Sequence, residues 1–184
     1  MELYKNCRNT ENIAITSMRP LGKDKKPKMF QGCVKGASPD IHIASSEVDS
    51  LEYLNKVLKK LTDEKYEDIV ILTCTTEDQS WLSYHCVNGS YPFNNRQIKF
   101  TSCRKFKGLE ADAIILVDVT RNTFDVGGNN LVFYVGASRA RFRLSIIVNM
   151  SDDECKFVSE ILGNTLQGKP PRTMLAASLN ALLQ

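Results

Sequence analysis

The sequence predicts a doubly wound α/β fold, and three observations carry that prediction. Two short runs, DIVILTC (68–74) and ADAIILVDV (111–119), are apolar almost without alternation, as strands buried on both faces are. Segments of helical period separate the strand candidates along the chain. The length of 184 residues, with 42% hydrophobic content, suits one domain with a real core. Strands that alternate with helices imply a mainly parallel sheet covered on both faces.

The elements follow in order. NTENIAITSM (9–18) begins with Asn and Thr, either able to cap a short helix. RPLGKDKKPK (19–28) is a Pro-bounded basic loop whose charge serves solubility as readily as phosphate contact. DIHIAS (40–45) alternates as a strand does. In SEVDSLEYLNKVLKKLTDE (46–64) the period changes, and Val48, Leu51, Leu54, Val57, Leu58 and Leu61 are expected on one helix face. Its early acids and later lysines match the helix dipole. Residues 78–84 suit a short helix, whereas 85–95, with Gly89 and Pro92, read as loop. QIKFTSC (97–103) is a further strand, and RNTFDVGGNN (121–130) is turn-rich. Residues 130–140 read as a helix and FRLSIIVNM (142–150) as a strand. Ser151 caps DDECKFVSEILG, and Pro170-Pro171 breaks the chain before TMLAASLNALL (173–183).

Composition narrows the function classes. A formal charge of +3 is too small to establish nucleic-acid binding by itself. No apolar run reaches the roughly 20 residues of a membrane-spanning helix, so no membrane partner is expected. The N-terminus lacks the basic-then-apolar order of a secretory signal. The six cysteines form no C-x-x-C pair, and His42 and His85 are far apart, so no metal site is expected. Free thiols in a reducing cytoplasm are the expectation.

Two motif-like stretches are set aside. GNTLQGKP (163–170) has the spacing of a phosphate-binding loop but ends in Pro where Ser or Thr must hold magnesium, and a helix precedes it. Asp118 ends a buried strand, but Val119 follows where a second carboxylate would serve as base, so Asp118 reads as a strand-end polar residue.

Chemistry concentrates in two other stretches. In KFKGLEADAIILVDV (105–119), Gly108 permits close backbone approach to a ligand, and Glu110 offers oxygens suited to ribose hydroxyls. In LVFYVGASRARFRLSIIV (131–148), Arg139, Arg141 and Arg143 cluster where helix gives way to strand. A planar, always-charged guanidinium there suits a phosphate supplied from elsewhere.

Together these stretches resemble a known family. KGLEADAIILVDV is similar to motif V of the UvrD/Rep-like superfamily 1 DNA helicases, and YVGASRAR to their motif VI. LYKNCRNTENI, at the start, resembles motif IV. The three occur in the family's order over residues 3–150. The resemblance implies a RecA-like fold, with residues 1–184 forming the second RecA-like domain and 151–184 a C-terminal helical extension. It implies that ATP and Mg²⁺ bind in a cleft against a first, N-terminal RecA-like domain, whose P-loop and motifs this chain lacks, as in a truncated enzyme. Arg8 and Arg139 would then reach the γ-phosphate, Arg139 as the arginine finger, while Glu110 binds ribose and Gly108 lets the loop approach. Cys7 stands where the family commonly stacks a Tyr on adenine, and offers far less area. Ser102 and Arg104, with Lys105 beside them, match positions near single-stranded DNA, Arg104 replacing the usual His. Arg141 is expected to point elsewhere on the helix, in packing or a surface ion pair. The chain alone is expected to show no ATPase activity; the alternative is a stand-alone helicase-like module that binds nucleic acid or a partner without turnover.

Overall fold

β5 (Ala111–Val119) forms the spine of the sheet, because Ile114, Ile115, Leu116 and Val117 are wholly buried between two layers of helix. The computed structural model describes residues 8–22, 27–29, 31–125, 129–163 and 168–180. Around β5 stand β1 (Asp40–Ala44), β2 (Ile69–Thr73), β3 (Ser90–Phe93), β4 (Arg96–Ser102) and β6 (Ala140–Asn149). The sheet order is β1-β6-β5-β2-β4-β3, with every pair parallel except the β3–β4 hairpin.

Alternate residues of the buried strands serve opposite faces. Ile69 and Ile71 of β2 join Leu54, Val57, Leu58 and Leu61 of helix α2 (Glu47–Asp63) in one core. Val70 and Leu72 join the other core, with Ile13 of α1 (Glu11–Met18), Phe133 of α3 (Asn129–Ala137), Val158 of α4 (Asp152–Ile161) and Leu175 of α5 (Pro171–Leu179). The fold is therefore the doubly wound α/β arrangement, with α4 and α5 packed into one of its two cores.

Two sequence expectations need correction. Val48 is 67% exposed, not part of the buried face of α2. At 3.6 residues per turn it lies about 130° from the centre of the stripe made by Leu54, Val57, Leu58 and Leu61. Residues 90–93 are a strand rather than loop. Pro92, which cannot donate to a ladder, is tolerated because β3 is an edge, and Asn94 turns the hairpin at φ 51°. The Tyr91 hydroxyl donates to Asn55 Oδ1 (2.8 Å), tying that edge to α2.

The link from β4 to β5 is short and crosses the α3 face, sinking Cys103 and Phe106 into the core there. Helix α3 approaches this link at Gly136. A methyl group at that position would press on Cys103 Sγ and stand 2.8 Å from Leu116 Cδ1. Gly136→Ala is therefore expected to lower stability: overpacking of about 1–3 kcal/mol outweighs a helix-propensity gain of about 1 kcal/mol. Urea denaturation reads this as a lower midpoint with an unchanged slope.

Candidate functional site

The amino ends of β5 and β6 gather residues remote in sequence. Ala111 pairs with Ala140, and the Ala111 N–H donates to the Arg139 carbonyl (3.1 Å), so Glu110 and Arg139 flank one point on the sheet edge. Asn9 is buried and its side-chain amide donates to the carbonyls of Ser138 (2.9 Å) and Ala140, which docks the segment before α1 against β6. That docking places Arg8 beside Glu110, Nε to Oε2 at 3.0 Å.

Arg139 is held differently. Its guanidinium donates to the carbonyls of Val135 (3.0 Å) and Leu109 (3.5 Å) and to Ser138 Oγ (3.3 Å). It has no carboxylate within ion-pair distance among the described residues. Burial, and then the Arg8 charge, hold Arg139 below the usual arginine pKa, with Tyr134 and Glu110 opposing. Gly108, at φ +91°, turns the loop just before Leu109 and Glu110.

Arg141 makes the surface ion pair expected of it, but within this cluster rather than elsewhere on a helix. The helix has ended at Ala137, and Arg141 lies on β6, 3.3 Å from Asp112 Oδ1 and 3.9 Å from Glu110 Oε1. The cause is an irregularity in register between Ala111 and Ala113, opposite Ala140 and Arg143, which leaves Arg141 and Phe142 both exposed. Arg143 turns to α2 instead and pairs with Glu64 at 2.9 Å. Cys7 lies outside the described residues.

Ser102, Arg104 and Lys105 occupy the opposite, carboxyl edge. Ser102 is level with Thr73 and thereby with Val117, roughly 20 Å along the strands from Ala111. Glu77 organises this edge: it accepts from Thr101 Oγ1, Ser102 N–H and Lys105 Nζ, each at 2.9 Å. Ser102 is buried and its hydroxyl accepts from Lys105 N–H (3.4 Å), so it shapes the turn that presents its neighbours. Arg104 and Lys105 are exposed.

Asp118 is at the strand end, as expected, but it is a hub that sequence reasoning missed. It adopts φ +57° where the β5–β6 register shifts between Leu116 and Val119. Its carboxylate accepts from the Thr73 and Ser80 hydroxyls, each at 2.6 Å, and from Trp81 N–H (3.4 Å). Burial pushes its pKa up, against these hydrogen bonds.

Of the 163–170 stretch, residues 164–167 lie outside the described residues; helix α4 precedes it and Pro171 opens α5. Among the described residues no group of three or more His, Cys, Asp or Glu is placed to hold a metal ion. No described helix is long and apolar enough to cross a membrane. Cys33, Cys74, Cys86, Cys103 and Cys155 are free thiols.

No protein-family model matches the sequence, and no curated protein matches it. Among solved structures the chain is similar to the C-terminal domain of a possible DNA helicase from Lactobacillus plantarum WCFS1. The TM-score is 0.57 at 15% identity, covering 80% of this chain and 88% of that one. At that identity the likeness is one of fold, and it agrees with a RecA-like domain.

The Glu77 cluster sets a pH dependence. Partial burial pushes the carboxyl up, but Lys105, the Ser102 N–H and the Thr101 hydroxyl together hold it down, from 4.5 to about 2. A depressed folded-state pKa contributes stability that is present above 4.5 and lost as pH falls toward 2. Wild type should thus be more stable than Glu77→Gln near neutral pH, with the gap closing across that window. Paired thermal melts at stepped pH measure the gap; a constant difference contradicts this account.

Proposed function

We propose that the chain is the second RecA-like domain of an ATP-dependent DNA helicase of the UvrD/Rep-like superfamily 1. The observation that carries this reading is the meeting of Arg8, Glu110 and Arg139 at the amino edge of the sheet. Among the described residues, three guanidiniums there (Arg8, Arg139 and Arg141) face two carboxylates, Glu110 and Asp112. Arg139 is steadied by carbonyls rather than a counter-charge. Such an edge favours an incoming polyphosphate anion, which planar guanidiniums bind through paired N–H donors. The donor set fits the phosphate end of a nucleotide and leaves the phosphate cradle and Mg²⁺ to a first RecA-like domain.

In this reading ATP supplies the free energy for closing and opening the cleft between the domains. Arg139, fixed by Val135 and Leu109, meets charge that develops on the γ-phosphoryl oxygens at little reorganisation cost. Glu110 fixes Arg8 with Oε2, and its Oε1, more loosely paired with Arg141 at 3.9 Å, turns toward ribose hydroxyls. Leu109 and Phe142, 50% and 44% exposed beside the cluster, give this edge an apolar rim for the partner domain to cover. At the carboxyl edge, Arg104 and Lys105 contact the phosphates of single-stranded DNA and Ser102 positions them.

The chain by itself should bind single-stranded DNA weakly, with log K falling linearly in log salt. Lys105→Ala should weaken binding and reduce the slope by roughly 0.7, the single-strand value per phosphate contact. Anisotropy titrations across a salt series measure both; affinity independent of salt contradicts the assignment of this edge.

A further inference from the structure

A cleft of about 390 Å³ opens between the carboxyl ends of β2 and β5, within the size range of small-molecule sites. Its position follows from topology. The chain leaving β2 turns to the α2 face, where Leu82 is buried with Leu58 and Ile71. The chain leaving β5 turns to the α3 face, where Phe124 meets Phe133 with ring centroids 5.9 Å apart. Connections that depart to opposite faces leave a crevice at the carboxyl ends of the strands, where open α/β sheets bind ligands.

The lining narrows the ligand. Asp118 is the one carboxylate among the lining residues, and its oxygens are already taken by two hydroxyls and an N–H. Arg104 is the one cation, and its guanidinium has no hydrogen-bond or ion-pair partner among the described residues. The walls otherwise carry the Cys74 thiol and a majority of amides and hydroxyls, among them Thr76, Gln79, Asn122 and Asn129, and no aromatic ring. Gln79 accepts from the Thr75 hydroxyl (3.0 Å), which leaves its NH₂ group to donate. A flat heterocycle in this cleft would be held by its edge, not by stacking, and carboxamides present the paired donor and acceptor that base edges match. A guanidinium at the same place suits the attached phosphate.

We propose that this cleft takes one nucleotide of a single strand, the phosphate on Arg104 and the base edge on the carboxamides of Asn122, Gln79 and Asn129. This rests on the single-strand reading above and adds to it a means of telling a base-bearing strand from bare backbone.

The test is anisotropy at low salt with a thymidine oligonucleotide and an abasic oligonucleotide of equal length. Wild type should bind the thymidine strand more tightly. Asn122→Ala should weaken binding of that strand about fivefold, the loss of one hydrogen bond, and leave the abasic strand unaffected. Asn122→Leu, which is close in shape and removes the hydrogen-bonding amide without adding charge, should do the same. Arg104→Ala should weaken both strands. Asn122 and Arg104 are exposed, so the variants should keep the wild-type thermal transition. Equal wild-type affinity for the two strands, or no effect of either Asn122 variant, overturns the proposal while the single-strand reading stands. Failure of wild type to bind either strand sinks that reading and this proposal with it.

Discussion

The side-chain amide of Asn9 is the interaction on which the amino-edge cluster depends. It is buried, and it donates to carbonyls on either side of Arg139. Leaving such a buried donor unpaired costs about 1–3 kcal/mol, so the segment before α1 has one preferred seat. Further bonds secure it: Glu11 N–H donates to Val34 O (3.0 Å) and Asn12 N–H to Lys35 O (3.1 Å). With the seat fixed, Arg8 faces Glu110, and the start of the chain becomes part of a surface otherwise built from β5 and β6.

The pairing of β5 and β6 is regular in its middle and irregular at both ends. The middle must be regular, since each residue there is buried against one helix layer or the other, and a slip would invert every side chain. The irregularity near Ala111 exposes Arg141 and Phe142 consecutively. The one between Leu116 and Val119 puts Asp118 in a left-handed conformation, with its carboxylate turned to Thr73 and Ser80. Bulges of this kind re-aim side chains at sheet ends without disturbing the core between them. The two candidate sites are thus kept apart by a rigid strand, one at each end.

How much of this the sequence discloses depends on the range of the forces involved. Residues 69–73 and 111–119 are legible because burial on both faces demands nearly unbroken apolar runs, and α2 is legible from its period. Val48 misleads because an apolar residue in the first turn resembles part of the stripe until the helical angle is counted. The edge strand β3 is hidden by Gly89 and Pro92, residues that an edge tolerates and a central strand does not. Glu110 and Arg139 stand out as charges beside buried strands. The place of Arg141 does not, since it turns on where α3 ends and β6 bulges. The role of Asn9 is least legible of all: near a helix start it reads as a cap, while its partners lie at Ser138 and Ala140. The hydroxyls that meet at Asp118 likewise come from other strands and turns, which periodicity does not register.

The central claim is that Arg139 completes an ATP site built by another domain. Its most direct test is DNA-stimulated ATP turnover by a polypeptide that carries both RecA-like domains. Arg139→Lys keeps the charge and loses the planar fork. Turnover should fall by roughly 10³-fold, the lower range for arginine fingers, with single-strand binding preserved. Arg143→Ala, which removes the pairing with Glu64 and the contact with the Tyr66 ring, both away from the cluster, should stay near wild type. Near-normal turnover in Arg139→Lys, or equal damage from Arg143→Ala, would contradict the account.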